Sequence, residues 1–234
     1  MVYNWGNRLL DILFSPTCRL CGGRVTASPM LCTGCEGDLP RLTRACRQCA
    51  RPLPAHGADN RCGHCQQLAP HFDRTTALCH YHPPVDYLLK RLKFAGDLGM
   101  APLLAGLLAR QLEQRSDPLP ELLVPVPLHP ARLRQRGYNQ AIELARPLGR
   151  RLAIPLGRSL CRRTRRTETQ SLLGTTARRL NMRNAFAVNG IPAVTRVAIV
   201  DDVMTTGSTA GELARTLKYA GVLEVEVWVI ARAD

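Results

Sequence analysis

Four Cys-x-x-Cys pairs crowd the first third of the chain: Cys18/Cys21, Cys32/Cys35, Cys46/Cys49 and Cys62/Cys65. A Cys-x-x-Cys on a tight turn aims two thiolates at one point, and two such turns complete the tetrahedral sulfur shell that zinc prefers. Four tandem pairs therefore predict two zinc ions. A redox motif would need one pair beside a thioredoxin-like pattern, and a disulfide framework would need an oxidising compartment. The intervals between pairs permit consecutive pairing, first with second and third with fourth, or an interleaved one; the consecutive scheme is the simpler. Residues 15–70 are rich in Pro, Gly and Arg and poor in large apolar side chains. A segment of that size and composition cannot fold on its own core, so the metal is expected to be structural. His56, His64 and His71 lie near the cysteines, but eight thiols suffice and the imidazoles read as surface groups. Cys79, in the strand-like TTALCHY, reads as core, and Cys161 is given no role.

After residue 70 the pattern changes. Hydrophobic residues make up 45% of the whole chain and charged residues 21%, enough for a sizeable core and too apolar for wholesale disorder. Strand-like runs at 75–81, 121–127, 195–202 and 222–231 alternate with helical spacing at 85–94, 100–115, 139–152 and 209–221. Such alternation predicts an α/β domain with a mostly parallel sheet and helices on both faces. The expected domains are 15–70 and 71–234. No apolar run approaches the roughly 18–20 residues of a membrane span, and the start lacks a secretion-signal pattern. A cytoplasmic location is the resulting expectation.

The most informative segment is Val197-Ala198-Ile199-Val200-Asp201-Asp202-Val203-Met204-Thr205-Thr206-Gly207-Ser208-Thr209. A buried strand ends in two acids, and a loop of hydroxyls and glycine opens a helix. Ligands of open α/β sheets bind at the carboxyl ends of strands. Backbone N–H groups at a helix start, with the positive end of the dipole, cradle an anion. Gly207 lets the backbone approach, and the hydroxyls of Thr205, Thr206, Ser208 and Thr209 can donate to a phosphate. Two carboxylates beside a phosphate would repel it unless they serve hydroxyls or a magnesium ion. The strand with its acid pair also suits a Walker B element, but the chain contains no G-x-x-x-x-G-K-[ST] partner.

This segment resembles the phosphoribosyl-pyrophosphate (PRPP) motif of type I phosphoribosyltransferases. The resemblance implies that Asp201 and Asp202, as the catalytic acids, hold the ribose 2′- and 3′-hydroxyls and that 205–209 hold the 5′-phosphate, with Val203 and Met204 inside the motif. It places Pro127, Leu128, His129, Arg132 and Arg136 in the position of the pyrophosphate loop, although Leu-His-Pro is bulkier than the small residues often found there. It also places residues 158–183, with Arg162, Arg163, Arg165 and Arg166, where the family keeps a flexible loop that closes over substrate. That stretch carries eight Arg against one acid, Glu168; the bland alternative is a solvated basic loop. The basic helix end Leu89–Phe94 is assigned no site.

The cysteine pairs, LKFAGD, VPVPLHPARLRQRGYNQA, TETQSLL, RRLNMRNAF and VDDVMTTGST follow in one order, and together they closely resemble the ComF family of competence-associated proteins. The match spans roughly 15–234. It implies a double zinc ribbon, a type I phosphoribosyltransferase domain that binds PRPP with Mg²⁺, and a link to single-stranded DNA and the uptake machinery at the inner membrane face. The alternative is an active phosphoribosyltransferase of nucleotide metabolism with purely structural zinc. Formal net charge is +14, which favours an anionic partner without choosing one. Over 1–70 the net charge is only +4, and two zinc–tetrathiolate centres would cancel it, so a DNA surface there needs local Arg placement. Aromatic residues are 5% of the chain and none interleaves with the basic run, so that run offers no stacking platform.

Overall fold

The computed structural model describes residues 17–25, 30–54, 60–165, 182–191 and 193–233. Among them the elements run α1 (Thr33–Gly37), α2 (Gly63–Gln67), β1 (Arg74–His80), α3 (Val85–Phe94), α4 (Met100–Glu113), β2 (Leu122–Pro125), α5 (Pro130–Arg136), α6 (Gln140–Leu152), β3 (Cys161–Arg163), β4 (Phe186–Val188), β5 (Arg196–Met204), α7 (Ser208–Tyr219) and β6 (Glu224–Arg232). The chain forms two compact units, divided between Leu39 and Pro40.

In the larger unit four strands pair in the order β1-β6-β5-β2. Every neighbouring pair is parallel, with Val200 opposite Trp228 and Val124 opposite Ile199. The near-continuous apolar runs of β5 and β6 suit strands covered on both faces, and six of nine residues in β5 and eight of nine in β6 are buried. The expected mostly parallel α/β sheet is therefore present. Because the strands are parallel, the carboxyl ends of all four lie along one edge, and Pro125, Met204 and Arg232 mark it.

Helix α4 is apolar almost all round, with nine of its side chains buried, and packs between α3, α6 and the β1–β6 side of the sheet. Helix α6 begins where Asn139 accepts a hydrogen bond from Ala141 N at 2.9 Å and donates one from Nδ2 to Val126 O at 3.0 Å. That buried cap pins the helix start to the end of β2. Gly149 lets α6 meet the chain that follows, since a Cβ there would stand 2.6 Å from Ile154 O.

Two elements differ from the sequence expectation. Pro130–Arg136 is a short helix rather than a loop, and β3 and β4 pair antiparallel as a separate two-stranded sheet. Residues 166–181, most of the expected flexible loop, lie outside the described residues. Among the described residues no helix is long and apolar enough to cross a membrane.

Candidate functional site

The cysteines gather as two tetrads, Cys18/Cys21/Cys32/Cys35 and Cys46/Cys49/Cys62/Cys65, each with its sulfurs within 4.8 Å of one another. The consecutive pairing is thus the one observed. Both tetrads use the same local fold. Thr17 bridges Arg24 and Ala45 bridges Pro52 around the first Cys-x-x-Cys of each. Inside these hairpins Gly22 N donates to Cys18 O at 2.9 Å and Ala50 N to Cys46 O at 2.8 Å. Gly22 (φ 74) and Ala50 (φ 54) occupy equivalent left-handed positions, which cost glycine nothing and strain alanine. The second Cys-x-x-Cys of each tetrad opens a helical turn, α1 or α2.

This donor set fits zinc. Bonds of about 2.3 Å to four tetrahedral sulfurs put the sulfurs about 3.8 Å apart. Cys21 and Cys32 Sγ are 3.7 Å apart and Cys49 and Cys62 Sγ 3.6 Å, far beyond a disulfide bond. Burial opposes ionisation of Cys18 and Cys46, yet backbone N–H groups aimed at their sulfurs bring the two thiols down to about 6 and about 7. Two four-cysteine zinc sites of a double zinc ribbon result. Cys79 and Cys161 lie apart from both tetrads, buried, and burial raises each thiol, to about 11 and about 12.

The second tetrad adjoins the carboxyl edge of the sheet. Arg232, 2% exposed, donates from Nε to Cys49 O at 3.0 Å and from an Nη to Met204 O at 3.1 Å. Phe72 packs beneath Gly207, where a Cβ would meet its ring at 3.5 Å. The loop after β5 therefore rests on the metal ribbon behind it.

In that loop Gly207 takes φ 77, a left-handed conformation that suits glycine, at the start of α7, a 12-residue helix whose first turn has no side-chain cap. Thr206 and Ser208 hydroxyls hydrogen-bond at 2.7 Å. Asp201, Val203–Thr209 and the undersides of Val227 and Val229 enclose a niche of about 50 Å³, room for one small group but not for a base. Asp202 is buried, and Asp201 and Asp202 each accept from the next residue's N–H at 2.9 Å, which fixes both carboxyls.

Lys93 answers this pair. Its Nζ lies 2.6 Å from Asp202 Oδ2, an atom with no hydrogen-bond partner beyond that ion pair. Burial pushes the Lys93 ammonium down to about 8; Asp201 pulls it up, and Arg136 and Arg132 push it down. Burial raises Asp201 to about 6, against the pull of Lys93 and Arg163. Lys93 came from a segment to which the sequence assigned no site, since nothing local ties the end of α3 to Asp202.

The other expected residues divide. Pro127, Leu128 and His129 are half-buried after β2, and His129 Nδ1 caps α5 by accepting from Ala131 N at 3.2 Å. Arg132 and Arg136 line a cleft of about 760 Å³ together with Lys93. Arg163 feels both Asp201 and Arg132, and its guanidinium lies 5.6 Å from the Phe186 ring. Arg162 and Arg165 are exposed, and Arg165 reaches Arg183 O at 3.0 Å. Arg166 lies outside the described residues.

The family model described as a double zinc ribbon domain matches residues 9–66. Competence protein F of Haemophilus influenzae is 37% identical over 231 residues, covering 94% of this chain and 98% of that protein. The DNA utilization protein YhgH of Escherichia coli K12 is 36% identical, covering 86% and 90%. Competence protein ComFC of Streptococcus pneumoniae is 24% identical, covering 86% and 87%. Among solved structures the chain is similar to a purine phosphoribosyltransferase from Pyrococcus horikoshii (17% identity, 68% of this chain and 88% of that one, TM-score 0.33). It is also similar to the glutamine PRPP amidotransferase of B. subtilis (19% identity, 61% and 30%, TM-score 0.37). Identity of this order along nearly the full length of both chains shows that the chain belongs to the competence protein F family.

Proposed function

We propose that the chain binds PRPP with Mg²⁺ at the 201–209 loop and handles incoming single-stranded DNA on the cytoplasmic side of the membrane, beside the uptake machinery. One observation carries the ligand: an acid pair fixed at the carboxyl end of a central parallel strand, followed without a break by a hydroxyl-rich loop at an open helix start. In this reading Asp201 and Asp202 accept from the ribose hydroxyls, and 205–209 seat the 5′-phosphate. Arg132 and Arg136 face the diphosphate, with Arg163 arriving from the β3–β4 hairpin. Magnesium, when bound, neutralises diphosphate charge. The competence and DNA-utilization names of the relatives support the cellular role. The eight metal-directed cysteines suit a reducing compartment.

Fluorescence anisotropy of the zinc-loaded chain with a short labelled oligothymidylate tests the reading. Binding is expected at low ionic strength, falling with salt at a slope of about −0.7 per phosphate contact. Added PRPP should displace the strand if the arginines around Asp201 serve both ligands. A flat salt response, or no binding at low ionic strength, would overturn the DNA part. Release of pyrophosphate in the same mixtures would identify turnover.

A further inference from the structure

The cleft of about 760 Å³ beside the acid pair is larger than a diphosphate requires and falls within the size range of ligand pockets. Its outer wall is Phe94, the last residue of α3, 75% exposed. Exposed aromatic residues are common singly, but this one stands in a basic cleft. The Arg136 guanidinium lies 5.5 Å from its ring centroid, and Arg132 and Lys93 line the same space. Burial and the neighbouring Arg132 both press on the charge of Arg136, and an incoming anion would relieve that pressure.

The platform is also held in place. Beneath it, Tyr138 hydroxyl donates to Leu92 O. On its flank Arg91 pairs with Asp97 at 2.6 Å, and Ala95 N donates to Arg91 O at 3.1 Å. The backbone that carries the ring is thus fixed before anything stacks on it. An aromatic face backed by a guanidinium in a cationic groove is the arrangement that binds single strands without reading sequence, because every base has a π-face. A paired base is already stacked and cannot use it.

We infer that this cleft seats one nucleotide unit of a single DNA strand, its base stacked on Phe94 and its phosphates at Arg132 and Arg136. The inference rests on the DNA-handling reading above and adds a base contact that the 158–183 arginines do not provide. It brings the bound strand next to the acid pair, within the same cleft as Lys93.

The test compares oligothymidylate with an abasic deoxyribose-phosphate oligomer of equal length, using the full zinc-loaded chain and the Phe94→Ala and Phe94→Trp variants. Phe94→Ala should weaken oligothymidylate binding at least about fivefold while leaving the abasic oligomer and the thermal midpoint unchanged, and Phe94→Trp should restore affinity. Unchanged oligothymidylate affinity in Phe94→Ala would overturn the inference alone. So would equal loss for both oligomers, which would make Phe94 only a support for Arg136. Displacement of the strand by thymidine monophosphate at matching concentration would overturn the assignment to a strand. No binding of either oligomer by the unaltered chain would overturn the DNA-handling reading itself.

Discussion

Asp201 ends the apolar run of β5 with a carboxyl that burial raises from 3.8 to about 6, Lys93 and Arg163 pulling against it. Its folded value lies above its unfolded one, so the folded state holds this proton more tightly. Stability contributed by the group therefore falls as pH rises from about 4 through about 6. Ligand binding runs the other way, because the carboxylate accepts from a ribose hydroxyl more strongly than the protonated acid does. PRPP affinity should fall about tenfold between about pH 7 and about pH 5, and Asp201→Asn should bind weakly with this component of the pH dependence removed. Calorimetry giving the same pH profile for both proteins would contradict the assignment. The placing of Asp201 and Asp202 at a strand end, running straight into a hydroxyl-rich loop and a helix start, was legible in the sequence because the pattern is local. Lys93 was not, since its role exists only where α3 is folded back onto the end of β5.

The two cysteine hairpins repeat one another bond for bond, yet they sit in different units. Cys46, Cys49, Cys62 and Cys65 are buried and continuous with the core that contains Phe72, Leu213 and Val227. Losing that metal opens the core beside the loop, whereas the first tetrad belongs to the unit ending at Leu39. Cys65→Ser should therefore lower the unfolding midpoint of the larger unit, a loss of roughly 2 kcal/mol corresponding to roughly 4–8 °C, followed by the near-ultraviolet signal of buried Trp228. Cys21→Ser should leave that midpoint in place; equal shifts would contradict the division. The strands and longer helices were legible from hydrophobic period, and their ends moved by only a few residues. Helix α5 was missed although Pro130 at its first position and Gly137 (φ 82) just past its end are the signals of a short helix. The β3–β4 hairpin had no such signal, because three-residue strands carry no readable period.

Across the molecule, composition and compactness divide the chain differently. The apolar content rises after Pro70, where a metal-held segment gives way to a sheet domain, while the compact units part between Leu39 and Pro40. The second ribbon packs as part of the sheet domain because Thr75 Oγ1 donates to Gln48 O at 2.6 Å and Gln48 Nε2 to Phe72 O at 3.2 Å, contacts that spacing along the chain does not announce. The charge of +14 is likewise not spread evenly in effect: Lys93 and Arg163 face the acid pair at the carboxyl edge, and Arg132 and Arg136 stand beside Lys93. The function proposed above makes this edge a PRPP site. Isothermal titration of the zinc-loaded chain with PRPP and Mg²⁺ tests it most directly, run beside a variant carrying both Asp201→Ala and Asp202→Ala and checked for folding by circular dichroism. One PRPP per chain should bind the unaltered protein, with at least about tenfold weaker binding in the folded double variant; equal affinity in the two proteins, or no heat of binding in the unaltered one, would contradict it.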